Sequence, residues 1–167
     1  MKKMIILVAV LIAALVPAAA GTEPAAAAST LQSASGFGQV HLGLPFRNFA
    51  FSATRSSDGT VTGEAQLENR SSFFPAFIGH IEIDCLNVLG NVAVMSGVLT
   101  RSNSPILPVG SEELFAVQDN GEGPDAPADK ITLAFSGLGV ACTDIPDAAL
   151  LAPFLFTIES GQIQVRS

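Results

Sequence analysis

The chain of 167 residues carries eight basic and fifteen acidic side chains, a formal net charge of −7, eleven phenylalanines and neither tryptophan nor tyrosine. A surface of that sign repels phosphate, which argues against nucleic acid and anionic lipid headgroups as partners and leaves cations as the complementary ones. The missing Trp and Tyr remove the flat amphipathic side chains on which sugar- and protein-binding surfaces lean.

Residues 1–20, MKKMIILVAVLIAALVPAAA, set Lys2 and Lys3 before an apolar run from Met4 to Val16, followed by a proline and small residues. That order is a secretory signal, with cleavage expected after Ala20 or within Ala25–Ala28. The apolar run falls short of the roughly 20 residues that cross a bilayer, so no membrane span is expected once the signal is removed. No cysteine stands near the junction, which argues against lipoprotein processing. Exported thiols are oxidised, and the two cysteines, Cys85 and Cys142, are expected to form one disulfide. No CxxC spacing or flanking histidine supports the alternative of free catalytic or metal-binding thiols.

Residues 21–35, GTEPAAAASTLQSAS, are small and polar without periodicity and read as a flexible leader, followed by a single β domain over 36–167. Strands are expected over Phe37–Leu44, Arg47–Arg55, Thr60–Leu67, Ile78–Val88, Val92–Thr100, Glu112–Gln118, Lys130–Phe135 and Gly161–Arg166. In the third, Val61, Gly63, Ala65 and Leu67 share one face while Thr60, Thr62, Glu64 and Gln66 share the other. In the fourth, Ile81, Ile83 and Cys85 point inward and His80, Glu82 and Asp84 outward, and Leu89-Gly90-Asn91 then turns the chain into a hairpin. Asp144, Pro146 and the run Asp147–Leu151 start a short helical segment near 146–152 that Pro153 stops. It is expected to pack over an open end of the fold, burying Leu150, Leu151, Phe154 and Phe156. Eight short strands without a long helix predict an all-β protein, an antiparallel eight-stranded barrel or two-sheet sandwich.

The stretch from His80 through Cys85 and Gly90-Asn91 to Gly97 resembles a hairpin in a loose group of small secreted bacterial β proteins. Val117-Gln118-Asp119-Asn120-Gly121-Glu122 followed by Asp129, and the closing Gly161-Gln162-Ile163-Gln164-Val165, are similar to other pieces of that group. The resemblance implies export and a compact β fold. It brings no catalytic residues with it.

Several residue sets could carry chemistry. The loop 119–129, DNGEGPDAPAD, offers oxygens from Asp119, Asn120, Glu122, Asp125 and Asp129, a donor set that suits calcium, although it departs from the EF-hand order and also suits a plain turn. His80, Glu82 and Asp84 alternate on one strand face and could share a transition metal with His41, the other imidazole, or form an ordinary polar outer face. No serine stands in a nucleophile elbow, and Glu112 and Glu113, adjacent on a strand, point to opposite faces and cannot act on one substrate atom.

These features together indicate a non-enzymatic structural or binding domain at the cell surface, in the periplasm or released. One alternative is a carrier for a small apolar ligand in a barrel interior, where Gly63, Ala65, Ala93 and Gly97 would leave room. The others are a calcium-binding surface protein and a hydrolase built around His80.

Overall fold

The structure, a computed structural model, describes residues 30–41, 46–70 and 76–167. The expected signal segment and its cleavage point lie outside the described residues. Ten antiparallel strands form one sheet: β1 (Thr30–His41), β2 (Phe46–Ser56), β3 (Val61–Asn69), β4 (Phe77–Leu89), β5 (Val92–Ser102), β6 (Glu112–Gln118), β7 (Lys130–Ile131), β8 (Phe135–Ser136), β9 (Phe156–Thr157) and β10 (Ser160–Arg166). Their order is β10-β1-β2-β3-β4-β5-β6-β7-β9, with β8 paired to β6. The all-β antiparallel expectation holds, and the sheet curls strongly into a half-barrel.

Alternation makes the curl possible. Phe49, Phe51 and Ala53 of β2, Ile81 and Ile83 of β4, Met95 and Leu99 of β5, Phe115 and Val117 of β6 and Ile163 of β10 all turn into one core. The rings of Phe51 and Phe115 meet edge to face with centroids 6.0 Å apart, although four strand pairings separate β2 from β6. Only a sheet bent back on itself brings those side chains together. β1 starts at Thr30, so the end of the expected leader is strand: Ser33, Ala34 and Ser35 are paired with β2 on one side and β10 on the other, and Ala34 is buried. Small polar residues carry little strand signal by themselves, and the two neighbours impose it.

The expected hairpin forms, with a turn of two residues because Leu89 belongs to β4. Gly90 and Asn91 connect β4 to β5 directly, with Gly90 at φ +66°. The inward register of Cys85, by contrast, is corrected. The ladder skips Asp84, since Ile83 pairs with Gly97 and Cys85 with Ser96. One extra residue flips every following side chain, so Leu86 continues the inner core while Cys85 and Leu89 pack on the other face. The bulge also explains Gly97, where a Cβ would lie 2.0 Å from the Glu82 carbonyl oxygen.

That outer face carries a second small core. Val92 and Val94 of β5 with Leu114 and Ala116 of β6 alternate with the inner residues and meet Cys142 and Leu151. The helical segment, two 3-10 turns over Cys142–Asp144 and Ala148–Phe154, therefore covers the outer wall of β4–β6 and not an end of the half-barrel. Asp147 begins the second turn by accepting the Ala149 N–H at 2.9 Å. Of the four apolar residues expected to need burial there, Leu151 alone is buried; Leu150, Phe154 and Phe156 stay exposed. The expected strand over Lys130–Phe135 is split, because Thr132 Oγ1 accepts the Ala116 N–H and donates to the Leu133 carbonyl, interrupting the ladder between β7 and β8. Cys85 and Cys142 are bonded, with Cα atoms 5.8 Å apart, inside the range a disulfide spans. Among the described residues no helix is long and apolar enough to cross a membrane.

Candidate functional site

The inner face of the half-barrel changes character at one end. Arg47 and Asn69 are cross-strand neighbours on β2 and β3, in a row with Val40 of β1 and Phe77 of β4. Both continue the inward phase, Arg47 two residues before Phe49 and Asn69 two residues after Leu67, so the pleat sends them toward the core. On β6, Glu113 holds the same inward phase as Phe115 and Val117, while Glu112 faces solvent, as their adjacency predicted. Between these strands lies a pocket of about 250 Å³, floored by Phe49, Leu67, Ile81 and Leu99 and rimmed by Ile106 and Leu107 of the β5–β6 connection. That volume is far above the roughly 10–15 Å³ that admits a single water, so it is not a packing defect.

The polar groups of this pocket are unusual for an interior. Asn69 is 1% exposed, and neither its amide nitrogen nor its oxygen has a hydrogen-bond partner among the described residues. Glu113 is 2% exposed, and both its carboxylate oxygens are likewise unpartnered. Arg47 contributes a buried, unpartnered Nε. Buried polar atoms are almost always satisfied, and an orphan costs about 1–3 kcal/mol. Five such atoms, on three side chains lining one apolar cavity, form the pattern expected of a small-molecule site. Burial pushes the Glu113 carboxyl above the usual range, partly offset by the Ser136 hydroxyl beside it on β8, which does not reach hydrogen-bonding geometry. Desolvation likewise lowers the pKa of the Arg47 guanidinium.

A pH dependence of stability follows from Glu113. Its carboxyl ionises more readily in the unfolded chain, so its contribution is fully present below the unfolded pKa and is lost as pH rises through the folded one. Urea titrations across pH 4 to 8 should show the native protein losing stability relative to Glu113→Gln as pH rises, at no more than about 1.4 kcal/mol per pH unit, the slope of a one-proton difference. A difference flat with pH would mean that Glu113 is solvated.

The residues singled out in the sequence have other employment. Asp119 and Asp129 flank the β6–β7 connection and face the free edge of β10. The Val165 N–H donates to Asp119 Oδ2 at 3.0 Å and the Ile163 N–H to Asp129 Oδ2 at 2.8 Å, while the remaining oxygens take the N–H groups of Gly121 and Asn120. Glu122 Oε1 accepts from the side-chain amides of Gln162 at 2.6 Å and Gln164 at 2.8 Å. Asn120 donates to the Ala128 carbonyl, and Asp125 is exposed. The loop thus holds β10 in place through its acidic side chains. His80 and Glu82 do share an outward face, whereas Asp84 sits in the bulge. His41 is at the far end of β1, where its Nδ1 meets the Glu159 carboxylate. Among the described residues no three His, Cys, Asp or Glu side chains are grouped to hold a metal ion.

A wider, open depression of about 620 Å³ on the outer face is floored by Ser35, Ala50 and Ser52, with His80 at its edge. Its Gln162 and Gln164 amides are taken up by Glu122, and among the described residues lining it no buried side-chain polar atom lacks a partner. The mouth pocket is therefore the stronger candidate. Its residues escaped the sequence reading although a signal existed: Arg47, Asn69 and Glu113 are polar side chains standing in phase with apolar inward positions. No family model, curated protein or solved structure matches the chain.

Proposed function

We propose that this chain is an exported, non-enzymatic binding domain that carries a small, largely apolar ligand in the pocket at the mouth of its half-barrel. The observation that supports this reading most directly is the set of unpartnered polar atoms on Arg47, Asn69 and Glu113 around an apolar cavity. Export rests on the signal-like first twenty residues, on the resemblance to secreted bacterial β proteins and on the bonded cysteines, since disulfides persist in oxidising compartments.

Filling the cavity tests the carrier reading. Leu67 lines it from β3 and is only partly buried, so Leu67→Trp places an indole in the ligand's volume at small cost to the inner core. Saturating 1-octanol should raise the melting temperature of the native protein by several degrees, since ligand at a hundred times its Kd adds about 2.7 kcal/mol. The Leu67→Trp variant should show no such shift. Equal responses in the two proteins, or none in either, would remove the pocket from consideration as the site.

A further inference from the structure

Resting on the carrier reading, we infer that the ligand carries a single anionic head, a carboxylate, received by Arg47 and Asn69 on β2 and β3, with its apolar body lying against Leu67, Ile81 and Leu99. The argument is a count of charges around Arg47. Glu68, which precedes Asn69 on β3 and also borders the pocket, is the acidic residue beside it in the strand register. The Glu68 carboxylate is already engaged, by the Arg70 Nε at 2.7 Å and the Asn48 Nδ2 at 3.0 Å. Glu159 is engaged by His41. Glu113 lines the same pocket from β6, yet no ion pair joins it to Arg47, and its burial favours the neutral acid. Among the described residues no anion offsets the guanidinium.

A half-buried cation without a counter-ion carries part of its desolvation cost, and a bound anion offsets it. The shape of the donor set narrows the anion. A guanidinium presents planar, paired N–H groups that match a carboxylate, and the Asn69 amide, its cross-strand neighbour, adds a further donor. The surrounding walls are apolar, and the acidic surface of the chain opposes polyanions, so one charge on a hydrocarbon or aromatic body fits where a phosphate ester or a nucleotide does not.

Calorimetric titration of the full exported chain at pH 7 with octanoate, 1-octanol and octylammonium separates the possibilities, because the three share a body and differ only in the head. Octanoate is expected to bind about tenfold or more tightly than octanol, the factor that one charge-assisted bidentate contact supplies. Octylammonium should bind more weakly than octanol. In Arg47→Gln the ratio of octanoate to octanol affinity should fall to about twofold or less, and Arg47→Lys should restore part of it. Equal affinity for octanoate and octanol in the native protein overturns the inference while leaving the carrier reading intact. Tightest binding of octylammonium overturns it in favour of Glu113 as the anchor. If none of the three binds, the pocket reading falls together with it. These comparisons need only the native protein, so a poorly folding Arg47 variant does not blunt them.

Discussion

Breaking the Cys85–Cys142 bridge should destabilise the fold by about 4 kcal/mol, the loop-closure entropy restored to an unfolded chain cross-linked over a separation of 57 residues. The effect should be local as well as global. Cys142 is fully buried between the strands and the 3-10 segment, its N–H donates to Ser96 Oγ at 3.3 Å, and its carbonyl accepts the side-chain amide of Asn87. Apart from those hydrogen bonds, the outer core of Val92, Val94, Leu114 and Ala116 depends on that segment for its cover. In the Cys85→Ser, Cys142→Ser double variant, amide exchange over Thr143–Leu155 is expected to accelerate before that of β2 or β3, with the urea midpoint falling in parallel. A loss below about 1 kcal/mol, with exchange in 143–155 unchanged, would show that packing alone holds the segment to the wall.

The second large effect is expected at the free edge of β10. Asp129 is 8% exposed and accepts two backbone N–H groups, from Asn120 and from Ile163, each at 2.8 Å. Replacing it with alanine leaves a buried donor on β10 without an acceptor, so Asp129→Ala should cost about 3 kcal/mol, near the upper range for a hydrogen bond to a charged group. Asp129→Asn keeps one carbonyl oxygen and should cost roughly half as much. The amides of Ile163 and Val165 should exchange faster in both variants. Removing Asp119 as well frees the Val165 N–H, exposes more strand edge and should bring concentration-dependent association, visible by light scattering. An Asp129→Ala protein within about 0.5 kcal/mol of the native one would mean that β10 is held by its pairing with β1 alone.

The acidic loop shows how one set of residue types suits two kinds of partner. Asp, Asn and Glu oxygens spaced by glycines suit a hard cation, and nothing local distinguishes that from acceptors awaiting N–H groups. Here the donors lie at Ile163, Val165, Gln162 and Gln164, more than thirty residues downstream, and only the curl of the sheet delivers them. The same distance in sequence hid the mouth pocket. Arg47, Asn69 and Glu113 each stand in an inward phase that the pleat alone dictates, but their convergence on one cavity depends on β6 facing the β2–β3 pair across the interior.

By itself the sequence determined what is local. Period-two alternation marked β3 and β4, short runs between turn residues marked their neighbours, Gly90 and Asn91 marked the hairpin, Asp147 and Pro146 marked the helical turns, and two cysteines in a chain with a signal-like opening marked the bridge. Each of these follows from side-chain direction, turn geometry or redox compartment, properties that a short window of residues carries. Tertiary structure decided the rest: the bulge at Asp84 that turned Cys85 outward, the docking of 142–154 on the outer wall, the seating of β10 on carboxylates, and the gathering of orphaned polar groups at one end. Those depend on register and curvature. A register is a relation between strands, and no single strand contains it.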